Sequence, residues 1–532
     1  MINLYYFVLS PILIAILMYI FNNKYMKTLA IVLQSCFLVA TTINFSYVKK
    51  HGTIIENLGG WPDFVGISLK MDLLSAVMIM LSAFLFLAFL IFDYPKKYVN
   101  RLFVLLFLIL QSLITGIFLS NDLFNIFVLF EVSTIVVSIL IMFKKDSKSV
   151  YDGIVYFLVN TVAMTFFLFG TGFLYKTFGV FDFNGISEGI KLIENNSTLF
   201  IPYALMITAA GIKTSLMPLF SWLPKAHVTS IAPPIVSALL SGLYVKTGIY
   251  LFVRLQEMFH PAIDTSAFFM LMGFLTGVVG FLLALSQTDI KLMLAYSTIS
   301  QIGLIMIGLN YPGQDAYWGS MYHIINHAFF KSTLFLIAGI IVDEYGTRNI
   351  TKIKGVFKRM PFISIASFLA ILGITGAPFF NGSFSKYLIK TAVSGSPVEY
   401  ALIIINLGTV IYFLKFLSIF KGNSDKPPAK IDIYTRFITT IMALMCFIGG
   451  IYGQFFVNFL FNLETQISSS YYLQNIILFF LTVTAGYLFH RYLIPKLKFI
   501  TKIKEFELDF NNICLSITLF FFATLIYLVI KG

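Results

Sequence analysis

Long apolar runs alternate with short polar breaks from one end of the chain to the other. A run of about 20 apolar residues is long enough to cross a bilayer as a helix. Roughly sixteen such runs can be read, centred near residues 12, 37, 82, 110, 132, 162, 210, 243, 276, 300, 329, 375, 410, 447, 482 and 521. In hydrocarbon every backbone donor and acceptor must be satisfied internally, and a single run can do this only as a helix. The fold class expected is therefore an all-α polytopic membrane protein. Composition agrees. Hydrophobic residues make up 58% of the 532 and charged residues 11%, with a mean hydropathy of +0.89. A soluble chain carries about a quarter charged residues, so lipid must solvate much of this surface.

The net charge of +13 would suit nucleic acid if it formed one patch. The basic residues instead punctuate the apolar runs, as topology signals do, and no nucleic-acid partner is expected. Odd-numbered loops carry Lys24 and Lys27; Lys96, Lys97 and Arg101; Lys144, Lys145 and Lys148; Lys225; and Lys291. Later odd loops add Arg348, Lys352, Lys354, Lys358 and Arg359, then Lys421, Lys426, Lys430 and Arg436, and finally Arg491, Lys496, Lys498, Lys502 and Lys504. Even loops hold only Lys49, Lys50, Lys70, Lys176, Lys191 and the nearby Arg254. The positive-inside rule then places the odd loops in the cytoplasm and both termini outside, in the inner or plasma membrane of a prokaryote. The first run has no basic segment before it and reads as a retained helix. Cys36, Cys446 and Cys514 fall in apolar runs without CxxC spacing, so neither a disulfide framework nor a metal cage is expected. The segment 48–71, containing GGWPDF, is the longest outward loop and a candidate lid.

Some charges remain inside the spans: Lys213, Lys246, Lys331, Lys386, Lys390 and Lys415, with Glu131, His323 and His327. A charge at mid-bilayer costs about 2.5–3.5 kcal/mol or more, so such groups face the protein interior or water. The bland alternative is snorkelling from a helix end or a packing ion pair, and it weighs most for Lys390 and Lys415. Lys213 stands in GIKTSLMPLFSWLPKAH, where Pro218 should break the helix just after the lysine. Lys386 follows a second break in GITGAPFFNGSFSK, at Pro378 and the Asn381–Gly382 pair. Two broken helices, each with an intramembrane lysine, point to an inverted-repeat transporter. The breaks fall on the seventh and twelfth spans, five apart, and an odd-numbered unit must invert. Spans four to eight and nine to thirteen would then be the repeats, matching Lys213 with Lys386 and Lys246 with Lys415.

His323, His327 and Lys331 follow i, i+4, i+8 spacing, which places them on one helix face over about 12 Å. Titratable groups in such a stripe suit a proton relay. A haem would need ligands from opposed faces, and zinc would need a third ligand that is not near; no metal or other cofactor is expected. Glu131 requires a cationic partner, with Lys213 and Lys246 as candidates. Desolvation favours a neutral lysine and an approaching carboxylate favours a charged one. At an effective dielectric near 20, a pair at about 4 Å is worth about 4 kcal/mol, enough to load and unload a proton.

At these residues the sequence resembles the antiporter-like subunits shared by Mrp-type cation/proton antiporters, respiratory complex I and membrane-bound hydrogenases. The stretches that carry the resemblance are NDLFNIFVLFE, GIKTSLMPLFSWLPKAH, SALLSGLYVKTGIYLFVRL, ALSQTDIKLMLAYSTISQIG, HIINHAFFKSTLFLIAG and GAPFFNGSFSK, within roughly residues 100–420. The resemblance implies a fourteen-helix core with two inverted five-helix repeats and broken helices 7 and 12. It implies that Glu131 pairs with Lys213. Lys246, His323 and His327 would continue a hydrated mid-membrane path, with Lys386 at the exit half-channel. The C-terminal pair of spans, joined by KLKFITKIKEFELDF, departs from the complex I member with a long lateral helix. HIINHAFFK is closer to the hydrogenase and complex I forms than to the typical D-type Mrp protein.

The function expected is a proton- or monovalent-cation-translocating subunit of a multisubunit complex, most like the D-type component of an Mrp-type Na+/H+ antiporter. Its partners would be other hydrophobic subunits, H+ and Na+, and membrane lipid. A redox-driven pump is the alternative within the family, with the redox centres on partner subunits. A structural scaffold, and an enzyme acting on lipid through His227 beside Lys225, are alternatives of other classes. The translocation residues expected are Glu131, Lys213, Lys246, His323, His327, Lys331 and Lys386, with Lys415, Lys390 and His227 secondary and with helix breaks at Pro218, Pro378 and Gly382. The chain divides into residues 1–100 (three N-terminal spans), 101–256 and 265–421 (the repeats), and 435–532 (C-terminal spans).

Overall fold

The computed structural model describes residues 1–21, 25–62, 65–143, 145–228, 233–424, 426–465, 469–503 and 508–531. Lys24, Lys144 and Lys504 of the basic loops, and Asp63 and Phe64 of the candidate lid, lie outside the described residues. Among the described residues, 13 helices are long and apolar enough to cross a membrane, and one broken pair brings the number to 14. Leu4–Ile20 and Pro361–Thr375 are shorter apolar helices. Every expected centre falls on a helix. The protein is an all-α polytopic membrane protein.

Two compact units divide the chain. The first takes Met1–Thr214, Leu243–Thr265 and Phe510–Gly532, and the second takes Ser215–Gly242 and Ser266–Asp509. In the first, helix starts are set by short polar side chains that take up amides the helix cannot satisfy itself. Asp72 accepts from the Ser75 amide at 2.9 Å, Asn100 from Phe103 at 2.9 Å and Asp122 from Asn125 at 2.6 Å. The segment 48–71 is not an open loop: Ile54–Asn57 and Ser68–Met71 pair as an antiparallel hairpin, and the Asn121 amide donates to the Ser68 carbonyl at 3.1 Å. Arg254 ties this end together through Asp72 and Glu257. Burial pushes the Asp72 carboxyl up, but Arg254 and the Ser75 bonds outweigh it and hold the group below its ordinary value. Helix Phe200–Thr214 packs on Ser147–Phe178 and Val245–Phe259, and the last helix, Phe510–Lys531, lies against it.

In the second unit, helices Ser266–Ser286 and Ile290–Asn310 approach almost backbone to backbone. A Cβ on Gly303 would lie 2.3 Å from the Gly277 amide nitrogen and 2.4 Å from the Gly273 carbonyl oxygen. Small residues allow this approach where lipid offers no hydrophobic drive between helices. Gly303→Ala is expected to destabilise the protein by about 1–3 kcal/mol, seen as a lower unfolding temperature of the purified complex. An unchanged temperature would mean that the two backbones have room to part.

Both expected breaks are present. Helix Phe200–Thr214 stops at Thr214, Ser215 takes a left-handed φ of 60°, and helical turns resume at Leu219, with Pro218 in the gap. Helix Pro361–Thr375 stops at Gly376 (φ 78°), Phe379 is also left-handed (φ 69°), and Asn381–Val393 follows, with Pro378 in the gap. Gly382 is not in the break. It stands in the first turn of the new helix, where a Cβ would fall 2.0 Å from the Gly373 carbonyl oxygen. Lys213 thus precedes its break, whereas Lys386 follows its own by a turn and a half, so the two are not positional equivalents.

Candidate functional site

Lys213 is buried (1% exposed) next to the last residue of its helix. Its ammonium donates to Thr134 Oγ1 at 2.9 Å and sits 5.1 Å above the Phe130 ring. Thr134 shares helix Leu123–Ile141 with Glu131, which is half-buried. Among the described residues Glu131 makes no hydrogen bond or contact ion pair, so the expected Glu131–Lys213 pair is open. Ser133 Oγ lies 3.0 Å from the Tyr244 hydroxyl, and the buried Tyr156 hydroxyl lies against Thr134 and Tyr244. Lys246 is fully buried two residues beyond a π-helical turn, Leu240–Tyr244. Such bulges inside helices mark functional sites more often than chance.

In the second unit His323, His327 and Lys331 line one face of helix Gln314–Tyr345, all fully buried, and the imidazole centroids are 6.5 Å apart. His323 Nδ1 is 2.8 Å from Ser385 Oγ, and Nε2 is 3.1 Å from Gln301 Oε1. Lys331 donates to the Leu294 carbonyl at 2.9 Å and to Ser297 Oγ. Gln301 donates to Thr409 at 3.1 Å, and Tyr412 lies against Ser297, Gln301 and Thr409. Lys386 donates to the Ile374 carbonyl and to Asn406 Oδ1, both at 2.7 Å. It opens onto a cavity of about 280 Å³ that Glu399, Gln474 and Asn475 also line.

The secondary candidates divide. Lys390 is 37% exposed and 3.7 Å from Glu399 at the same cavity. Lys415 donates to the Leu285 and Gln287 carbonyls at 2.6 Å each, closing the C-terminal end of helix Ser266–Ser286, where a cation is favoured. That is the geometry of a helix cap. His227 is fully buried, 2.9 Å from Ser241 Oγ and stacked on Phe335. Its burial leaves it out of reach of a lipid headgroup, against the lipid-enzyme reading. Lys225 and Lys291, expected in loops, are buried instead (6% and 2% exposed).

The family model described as "NADH:quinone oxidoreductase/Mrp antiporter, TM" matches residues 120–412, more than half of the chain. The chain belongs to this family. A Staphylococcus epidermidis protein named as antiporter subunit mnhD2 is 28% identical over 446 residues, 81% of this chain and 88% of its own length. The Staphylococcus aureus protein of the same name is 28% identical over 463 residues, covering 83% and 91%. Two solved structures share the fold. One is in the archaeal membrane-bound sulfane sulfur reductase, a respiratory membrane complex, with TM-score 0.80, 24% identity and coverage of 90% of this chain and 99% of that one. The other is in the Mrp complex of Dietzia sp. DQ12-45-1b, with TM-score 0.79, 21% identity and coverage of 94% and 99%. Both come from multisubunit membrane complexes.

Within this family member the uncharged partners are what the charge pattern does not show. Thr134 holds Lys213 and has Tyr156 and Tyr244 beside it, and Ser297 and Gln301 hold Lys331 and His323 with Tyr412 beside them. A signal exists for one of these pairs: Ser297 and Gln301 are four apart in an otherwise apolar span, hence on one helix face.

Proposed function

We propose that this chain is a proton- and monovalent-cation-translocating membrane subunit of a multisubunit complex, most like the D-type component of an Mrp-type antiporter. The observation that carries the reading is Lys213: a buried ammonium at a helix break, held by Thr134, with Glu131 unpaired three residues before that threonine. Buried ionisable groups of this kind are costly and seldom retained for packing alone. In the proposed cycle, Glu131 closing on Lys213 favours the charged lysine, and Glu131 retreating favours proton release toward Lys246. His323, His327 and Lys331 would carry protons through the second unit, and Lys386, at its cavity, would exchange them with the outer side. The breaks, the five-span spacing and the basic odd loops support inverted repeats with both termini outside.

A second reading, the pumping module of a redox-driven complex, is favoured by the fold shared with the archaeal sulfane sulfur reductase chain. The deciding experiment is purification of the native complex in mild detergent, mass spectrometry of its subunits, and reconstitution for a cation-driven collapse of ΔpH. Hydrophobic partners without iron, nickel or flavin, together with Na+- or K+-dependent collapse, are expected. Metal- or flavin-bearing partners with no cation-driven collapse would overturn the antiporter assignment in favour of the redox-driven one.

A further inference from the structure

Each unit contains a short backbone bridge of the same form. In the first, the Leu123 amide donates to Phe181 at 2.9 Å and the Phe183 amide to Asn121 at 3.0 Å. In the second, Ile290 donates to Arg348 at 3.0 Å and Ile350 to Thr288 at 2.9 Å. A shift of 167 residues carries one bridge onto the other, Asp122 to Asp289 and Asp182 to Asn349. The same shift carries Thr134 to Gln301 and Tyr156 to His323, and one residue more carries Tyr244 to Tyr412. In each unit these residues also lie near one another. His323 is bonded to Gln301, against which Tyr412 lies. Tyr156 lies against Thr134 and Tyr244. Matching bridges fix the register of the helices, but they do not require the side chains to form matching triads.

We propose that Tyr156 holds, in the first unit, the relay position that His323 holds in the second. The inference rests on the relay reading above. Lys213 already donates to Thr134 Oγ1. When it gives up that proton, Thr134 turns its own hydroxyl proton away from the Phe130 carbonyl and passes it to Tyr156. Tyr156 passes its proton to Tyr244, and Tyr244 releases one that has to travel round the helix to reach Lys246, since residues two apart do not share a face. Each hydroxyl gains one proton and loses one, so the lysines change charge and the hydroxyls do not. The triads then differ in one chemical respect. An imidazole, with an ordinary pKa near 6.5, can store a proton at neutral pH, and a phenol, near 10, conducts without storing one. The second unit thereby has an imidazole on which a proton can wait between lysines, whereas in the first a proton waits on Lys213 and the triad is a wire.

The test uses the assembled complex in inside-out vesicles, with ΔpH collapse read across pH 5.5–8.5 for Y156F, Y156H and K213A. Y156F is expected to lose about 10- to 100-fold of the rate while assembling normally, because the ring stays and the exchangeable proton goes. Y156H should recover most of that loss and steepen the pH dependence between about pH 6 and 7 beyond that of the parent, which already carries the imidazoles of His323 and His327. A role in packing alone would move neither the rate of Y156F nor the pH profile of Y156H. If K213A transports normally, the relay reading itself falls. If K213A is inactive but Y156F keeps the parental rate, or Y156H is as slow as Y156F with the parental pH profile, this inference is overturned and the relay reading stands. Should Y156F fail to assemble, Thr134→Val, which removes the neighbouring hydroxyl at constant shape, is read in its place, and a parental rate there overturns the proposal.

Discussion

Lys213→Ala is expected to abolish ion transport, by about 100-fold or more, in a complex that still assembles. The two halves of this expectation have separate physical grounds. Transport fails because the alanine removes the buried amine that takes and releases a proton at the break. Assembly survives because a buried cation is a poor source of stability: its desolvation offsets most of what its contacts return. Only the Thr134 bond and the contact over Phe130 are lost. The vacated Thr134 hydroxyl costs about 1–3 kcal/mol at most, which a protein of this size tolerates. Lys213→Arg separates two roles for the charge. A guanidinium keeps the positive charge but does not deprotonate in a protein, so it should be as inactive as alanine. Normal transport by the arginine variant would show that Lys213 supplies a fixed field and exchanges no proton. Transport that fails only in step with lost assembly would favour the scaffold reading.

How far the sequence reaches can be seen around this lysine. A charge in an apolar run stands out because nothing else in the run competes with the cost of burying it, and for that reason Glu131, Lys213, Lys246 and Lys331 are legible. The breaks are legible because Pro218 and Pro378 each remove a backbone donor. Thr134, Tyr156 and Tyr244 are not. A hydroxyl in a span can satisfy itself on its own helix, as Thr134 does by donating to the Phe130 carbonyl at 2.8 Å, so its presence says nothing about where it points. Lys415 is the converse case, a lysine within a span for which the bland alternative weighs most. It has the composition of a relay lysine and the geometry of a helix cap, and only the Leu285 and Gln287 carbonyls tell them apart. Lys225 and Lys291 read as loop charges because helix ends are uncertain by several residues, the distance over which a lysine passes from water to core. The hairpin of 54–71 escapes for a different reason: strands of four residues are too short for alternation to register. The assignment of Phe510–Lys531 to the first unit depends on contacts with a helix some 300 positions earlier, which no local pattern encodes.

Gly248→Ala is the second large effect, and it touches no titratable group. Gly248 lies two residues beyond Lys246, on the helix that packs against the end of the Lys213 helix. A Cβ there would lie 2.5 Å from the Lys213 carbonyl carbon, 2.7 Å from its oxygen and 2.7 Å from the Thr214 amide nitrogen. Those are backbone atoms at a break, and they cannot swing aside as a side-chain end would. The clash must therefore be relieved by moving the end of the helix. Lys213 moves with it, and the 2.9 Å bond to Thr134 opens. A displacement of about 1 Å in a proton-transfer site costs on the order of 100-fold in rate. The expected result is a complex that assembles, with its unfolding temperature lowered by the overpacking, and that transports at roughly one per cent of the parental rate. Gly303→Ala supplies the comparison, since it overpacks a glycine contact between two helices of the second unit and leaves the Lys213 helix alone, although its own helix carries the Leu294, Ser297 and Gln301 groups that hold Lys331 and His323. If the two variants lose the same stability and the same fraction of transport, overpacking alone explains both. If Gly248→Ala loses far more transport per degree of destabilisation, the position of Lys213 against Thr134 is what the glycine protects.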